Sequence, residues 1–190
     1  SCGYGSFLRS ENSIGADYDA AALAEAKKNI SSNRLYCHNS LKDVGRAQYA
    51  LSSEEQIIIV GNPPYNDTTS IIRNDIKKDI CEIDQDLKHR DMGVSFLLSY
   101  AKLAADYICV LHPLSYLIKK ANFESLGLFK KNYVLIDGLI ISSGEFSATS
   151  KTTHFPIIIA LYKRDSKGMD YAFIKKYAFK TKEGSTLRLD

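Results

Sequence analysis

The chain is poor in the features that would make its class obvious. It has only four cysteines among 190 residues, at positions 2, 37, 81 and 109. They form no CxxC pair and stand at no zinc-ligand spacing from a histidine, so neither a disulfide scaffold nor a zinc module is expected, and no metal site. That usage fits reduced thiols and a cytoplasmic setting. No apolar run reaches the length of a membrane helix, and neither a secretory leader nor a membrane partner is expected. There is no internal repeat and no low-complexity stretch, which excludes solenoids. The formal net charge is only +3, which permits nucleic-acid binding without demanding it. With 45% hydrophobic residues, the chain can bury a core, and its length fits one domain.

Proline is scarce too, four in all, yet two stand side by side at Pro63 and Pro64. They follow the apolar run Ile57-Ile58-Ile59-Val60 and Gly61, which reads as a short buried strand of a parallel sheet. The prolines end the ladder because neither can donate to it, and Asn62, preceding a proline, is pushed to an extended shape. Asn62-Pro63-Pro64-Tyr65 is therefore a stiff loop at the carboxyl end of a strand, where open α/β sheets bind ligands. It offers a side-chain amide, backbone carbonyls and a ring. Those groups suit methylation of an NH2 group on a planar ring or amide. The Asn62 amide oxygen and the Pro63 carbonyl accept its two hydrogens, and Tyr65 lies against the ring. An ordinary Asn-Pro turn is the plainer alternative.

Upstream, Gly3-Tyr4-Gly5 is a short glycine loop. Asp17, after Ile14-Gly15-Ala16, stands at the tip of a second strand, where a carboxylate can take ribose hydroxyls. Asp19 reads as the cap of an alanine-rich helix from Ala20 to Ile30. Leu35–His38 reads as a third strand, followed by Asn39-Ser40-Leu41. Downstream, Ile72, Ile76, Ile80 and Ile83 recur at helical spacing. Val94 to Ala105 reads as a helix, Tyr107–Leu111 as a strand and Phe123 to Phe129 as a short helix. Tyr133–Ile141, Ile157–Tyr162 and Tyr171–Tyr177 read as strands. Strands alternating with helices argue an α/β fold with a mainly parallel sheet flanked by helices. The histidines at 38, 89, 112 and 154 are scattered and read as structural or surface residues. Basic residues gather toward the C-terminal end, from Lys163 to Arg188, where they either track a phosphate backbone or form a solvated surface.

Taken in order, these motifs resemble the adenine-N6 DNA methyltransferases of restriction-modification systems. Cys2-Gly3-Tyr4-Gly5-Ser6-Phe7-Leu8 is similar to the second half of that family's cofactor motif. Gly15-Ala16-Asp17-Tyr18-Asp19 resembles its acidic ribose motif, Asn39-Ser40-Leu41 its third motif, and Asn62-Pro63-Pro64-Tyr65 its catalytic motif in full. The stretches from Asp91 to Ala105 and from Tyr107 to Ser115 resemble the elements that follow. Glu145-Phe146 and the strand from Phe155 to Tyr162 resemble the last catalytic-domain motif.

The resemblance covers the chain to about Arg164 and implies a Rossmann-like, S-adenosylmethionine-dependent methyltransferase fold. It implies cofactor binding by Cys2, Gly3, Gly5, Phe7, Asp17, Tyr18, Asn39, Ser40 and Asn62. It implies catalysis by Asn62, Pro63, Pro64 and Tyr65 on a flipped adenine. The base would stack on Tyr65 and a second ring, Phe146 or Tyr162 in preference to Phe155. The motif order resembles the gamma arrangement, in which DNA recognition follows the core. The implied partner is DNA, with a specificity or restriction subunit or a C-terminal recognition domain reading its sequence.

Two departures stand out. The strand and Asp-Pro expected before the glycine loop do not precede Ser1, so residues 1–190 are expected to be a catalytic domain with a truncated first strand and no target-recognition domain. Asn39 replaces the usual aspartate. Rival readings are an RNA or protein-glutamine methyltransferase with the same loop, or a non-catalytic domain that binds DNA or a partner.

Overall fold

The computed structural model describes residues 3, 5–29, 34–65, 82–146 and 154–189. Its contacts divide the chain into two compact units, Ser1–Gln56 with Asn66–Leu103, and Ile57–Tyr65 with Ala104–Asp190. The isoleucine-spaced helix expected around Ile72–Ile83 falls almost wholly outside the described residues.

The first unit is built on one βαβ turn. Strand β1 (Gly15–Asp17) pairs in parallel with β2 (Leu35–Cys37), and Asp17 sits opposite Cys37. Helix α1 (Ala20–Asn29) joins them and buries Leu23 and Ala26, three residues apart on one face. Asp19 caps this helix as expected, its carboxylate accepting the Ala21 amide at 2.8 Å. Helix α2 (Met92–Lys102) opens at Asp91, whose side chain accepts the Gly93 amide at 2.9 Å. It is apolar nearly all round, and Phe96, Leu97 and Tyr100 are among its buried residues. Asp84 ties the surrounding loops down, accepting the amides of Asp43 and Val44 and the ammonium of Lys102. Chiefly the Lys102 bond holds the Asp84 carboxyl below the usual carboxylate range.

The second unit carries a six-stranded sheet. Its strands are β3 (Ile58–Gly61), β4 (Tyr107–Pro113), β5 (Tyr133–Ser142), β6 (Pro156–Arg164), β7 (Phe179–Thr181) and β8 (Thr186–Leu187), in the order β3-β4-β6-β5-β7-β8. The expected mainly parallel sheet is corrected to a mixed one. β4 and β5 both run antiparallel to β6, while β3 with β4 and β5 with β7 are parallel. The cause is the connection from β5 to β6, which carries only the 3-10 turn Ser143–Phe146 among its described residues. A parallel return needs a crossover, normally a helix, of a dozen residues or more.

The run Ile57–Val60 is corrected as well. It forms β3 beside β4 as a parallel strand, but on the edge of this sheet, with Ile58 67% and Val60 47% exposed.

Helices α3 (Ser115–Ile118), α4 (Lys120–Ser125), α5 (Leu128–Asn132) and α6 (Tyr171–Lys176) complete the unit. The single helix expected over 123–129 is broken at Gly127, which takes φ +53. Tyr171–Tyr177, read as a strand, is α6 instead. Asp170 caps it by accepting the Phe173 amide at 2.7 Å, and only Ile174 is buried. The core is aromatic. Phe129 stacks on Tyr133 at 5.0 Å and meets Tyr162 edge-on at 4.9 Å, and the Tyr133 hydroxyl donates to the Ala105 carbonyl at 2.7 Å.

Candidate functional site

The loop Asn62–Tyr65 follows β3 directly, at the carboxyl end of that strand. Gly61 and Pro63 are buried, Asn62 and Pro64 exposed, and Tyr65 half-buried. The buried proline pins the loop, while the amide beside it is left in water. The Tyr65 hydroxyl donates to the Asn62 amide oxygen. Burial pushes the Tyr65 phenol up to about 12, so it remains a donor through neutral pH. An amide oxygen has two lone pairs, and the phenol takes one of them. The sheet register sets Gly61 beside Val110, so the ends of β4 and β5 and the start of β6 belong to the same end of the sheet as this loop.

That end presents exposed rings. Phe146 is 38% and Phe155 41% exposed. Phe155 is fixed by a reciprocal pair, its amide donating to Ser143 Oγ and its carbonyl accepting the Ser143 amide, both at 2.9 Å. A cleft of about 330 Å³ opens here, with Glu145, His154, Phe155 and Lys182 among its walls.

Tyr162, expected as a second stacking ring, is corrected. It is fully buried, and its hydroxyl lies 2.7 Å from His112 Nε2. His112 Nδ1 lies 2.9 Å from the Pro113 carbonyl, which fixes the tautomer with the proton on Nδ1 and leaves Nε2 to accept from Tyr162. The His112 ring also stacks on Tyr116 at 5.2 Å. Burial pushes the His112 imidazole down to about 4 and raises the Tyr162 phenol far above its ordinary value. Both are structural. The inward position of His112 was open to view in the alternation of Ile108, Val110 and His112 along β4. The partnership with a tyrosine fifty residues on had no local signal.

The glycine corner lies in the first unit. Gly3 and Gly5 both hold positive φ, +50 and +81, and a Cβ on Gly3 would meet nothing within 4 Å. The Gly3 amide donates to Asp17 Oδ2 at 2.9 Å, and the Asp19 amide to Asp17 Oδ1 at 3.0 Å. Asp17 is buried, so its carboxylate ties the glycine loop to the tip of β1.

Tyr18 and Phe7 are exposed, 50% and 46%. Asn39 turns inward on the backbone, its oxygen accepting the Leu41 amide at 3.0 Å and its nitrogen donating to the Glu82 carbonyl at 2.6 Å. Ser40 takes the Ser99 hydroxyl on its carbonyl at 2.7 Å. Cys2 lies outside the described residues. Among the described residues no cluster of metal-ligating side chains occurs, and no helix is long and apolar enough to cross a membrane.

No protein-family profile and no curated protein matches the sequence. Solved structures do. One is a Pyrococcus horikoshii protein provisionally described as an RNA methyltransferase, with 13% identity, a TM-score of 0.47, and 85% of this chain matched to 67% of that one. Another is a Listeria monocytogenes protein provisionally described as a class I S-adenosylmethionine-dependent methyltransferase, with 13% identity, a TM-score of 0.50, and 88% of this chain matched to 48% of that one. The chain thus spans about half the length of the Listeria protein. At that identity, the likeness to the Listeria protein is one of fold.

Proposed function

We propose that the chain is an S-adenosylmethionine-dependent methyltransferase acting on an exocyclic amino group, with adenine N6 in DNA as its target. The observation that carries the proposal is the loop Asn62–Tyr65. It is an exposed amide held by a buried proline at the end of a parallel strand, with a phenol on its oxygen. Recognition of the DNA sequence, in a restriction-modification setting, falls to a specificity subunit or recognition domain.

The glycine corner fits the cofactor. A Cβ on Gly3 would meet nothing within 4 Å, and a carboxylate at a strand tip, as at Asp17, is the type of group that takes a ribose diol. Gly3, Gly5, Asp17 and Tyr18 are the residues that would hold it, and when bound it supplies an electrophilic methyl group on sulfur. Asn39, turned onto the backbone, shapes the neighbouring turn.

The loop does the rest. The Asn62 oxygen and the Pro63 carbonyl accept the two amino hydrogens, which draws the nitrogen lone pair out of conjugation with the ring. Because the prolines set these acceptors in advance, little reorganisation is left for the reaction itself. The Tyr65 ring lies against the base once its hydroxyl yields its place on Asn62. The nitrogen's surplus proton leaves to water after alkylation. Phe146 and Phe155 are exposed rings among the described residues and the candidates for the opposite face of the base, in place of the buried Tyr162.

The test is to incubate the full chain with unmethylated DNA and methyl-labelled S-adenosylmethionine, then digest the DNA and identify the nucleosides by mass spectrometry. N6-methyladenine that disappears in Asn62→Ala, with cofactor binding intact by calorimetry, is the expected result. Labelled RNA or labelled glutamine in protein with unlabelled DNA would move the substrate. Cofactor binding unaffected by Asp17→Ala would overturn the role of the glycine corner.

A further inference from the structure

Charge is distributed unevenly between the two units. Residues 57–65 and 104–190 carry thirteen lysines and arginines against eight aspartates and glutamates, while the rest of the chain has an acidic excess. Within the second unit, a cleft of about 520 Å³ concentrates part of that charge, with Lys130, Lys131, Lys167 and Phe173 among its walls.

The cleft has a rigid floor. The Asp165 amide donates to the Asn132 carbonyl and the Met169 amide to the Lys130 carbonyl, both at 2.8 Å. These bonds staple the turn over 165–169 to the end of α5. Gly168 makes the staple possible, with φ +62 and a Cβ position only 2.4 Å from the Lys130 carbonyl oxygen. No other residue fits there, so Lys167 is held beside Lys131 by the backbone itself.

Three of the charges in the cleft are already engaged. Lys130 is paired with Glu124 and lies over the Phe123 ring at 5.2 Å, and Asp170 caps α6. Lys131 and Lys167 are exposed and have no ion-pair partner among the described residues. Lys176, three residues after Phe173, stands on the same side of α6 as that ring and is also exposed. Phe173 itself is 36% exposed. Free ammonium groups around an exposed ring form a surface on which a nucleic-acid strand can set its phosphates and stack a base.

This cleft is not the loop site. Sheet register puts Ile58, Tyr107, Arg164 and Tyr133 at one end, and Gly61, Pro113, Pro156 and Ser142 toward the other. Lys131 and Lys167 adjoin the first end, and Asn62 the second. By strand rise and spacing the two sites are on the order of 20 Å apart.

We propose that the cleft of Lys131, Lys167 and Phe173, with Lys176 beside it on the Phe173 side of α6, is a second contact for the nucleic acid, binding the phosphodiester backbone and one unstacked base of a strand away from the methylated position. The proposal rests on the proposed function for the choice of nucleic acid as the polyanion, and on the cleft for everything else.

The experiment is fluorescence anisotropy of a fluorescein-labelled single-stranded oligonucleotide with the full chain, without cofactor, across a salt series. The double variant Lys131→Glu, Lys167→Glu is expected to bind at least about tenfold more weakly, and to lower the slope of log K against log salt by about 1.4, roughly 0.7 for each phosphate of a single strand that is no longer neutralised. Phe173→Ala is expected to weaken single-strand binding by about fivefold or more, the low end of base stacking on an aromatic ring, and duplex binding less. Thermal melts of both variants should match the parent. Unchanged affinity and slope in the double variant would overturn the proposal, as would displacement of the oligonucleotide by polyglutamate at equal charge, which would make the occupant an acidic protein. Charge-dependent binding without methylation anywhere would sink the proposed function and leave the cleft standing, and methylation with a silent double variant would do the reverse.

Discussion

Two aromatic neighbourhoods of the six-stranded sheet behave in opposite ways. Around Tyr162, rings are stacked out of water, and the polar atoms of Tyr162, His112 and Tyr133 are bonded to one another or to the backbone. Around Asn62, rings stand in water at the edges of loops, and the amide that would do chemistry is exposed. Both are rich in tyrosine and phenylalanine, so composition does not tell them apart. What separates them is the source of their order. The first is ordered by burial, the second by prolines and by the two hydrogen bonds between Ser143 and the Phe155 backbone. A ring ordered by burial has no face to spare for a ligand. A ring ordered by the backbone keeps one.

The comparison breaks most visibly by truncation. Tyr162→Ala removes a fully buried ring and leaves His112 Nε2 without its donor, and should cost about 3–5 kcal/mol of stability. Phe155→Ala, at an exposed site, should change stability by no more than about 0.5 kcal/mol. Urea denaturation curves of the two variants check this. A Tyr162→Ala protein as stable as its parent would return Tyr162 to the surface and to candidacy as a stacking ring.

Asn62→Ala should invert that pattern. The side chain is exposed, so the urea midpoint should hold. Turnover should fall about a hundredfold to a thousandfold, the range found when one preorganised hydrogen-bonding group is removed from a reacting centre. Single-turnover kinetics with saturating cofactor and DNA give the number, and a loss confined to KM would assign Asn62 to binding alone.

The third difference is in acid. The folded His112 titrates near 4, below its ordinary value of 6.5. A lowered histidine value means that the unfolded chain takes up the proton first as pH falls. The stabilising contribution is therefore whole above about 6.5 and is lost as pH falls toward 4, by about 3 kcal/mol in all. His112→Gln, which cannot be protonated in this range, should flatten that stretch of the stability profile. A profile equally steep in the variant would place the acid sensitivity elsewhere.

Much of this contrast was readable in the sequence, and the gaps have physical causes. The loop was legible because Asn62-Pro63-Pro64-Tyr65 states its own backbone conformation. Asp17, Asp19 and the βαβ turn were legible because glycine, a strand tip and a cap occur in a fixed local order. The mixed sheet was not legible, since strand direction depends on how a connection returns and the 143–155 segment has no helical periodicity. Nor was the edge position of β3, because Ile57–Val60 looks alike in the middle of a sheet and at its border. Tyr171–Tyr177 misread as a strand because of its aromatic residues and Ile174, whereas the structure makes it a helix capped by Asp170. Tyr162 was preferred to Phe155 because the sequence does not show which residues of β6 are buried; Tyr162 is in the core and Phe155 is exposed.

The smallest expected effect is the most specific to the loop. Tyr65→Phe keeps the ring and removes the hydroxyl that donates to Asn62. If that bond only parks the amide before substrate arrives, an incoming amino group has one fewer competitor in the variant, and KM should fall slightly while kcat changes by less than about threefold, under ~0.7 kcal/mol. The parent should show no alkaline limb from Tyr65 up to about pH 10, where an ordinary phenol titrates, because burial raises this one to about 12. The two variants then separate the loop's roles: Asn62→Ala strikes the step in which charge develops, and Tyr65→Phe touches only the resting arrangement. A kcat in Tyr65→Phe as low as that in Asn62→Ala would mean that the phenol acts during the reaction, and that the bond between Tyr65 and Asn62 is part of the reacting geometry.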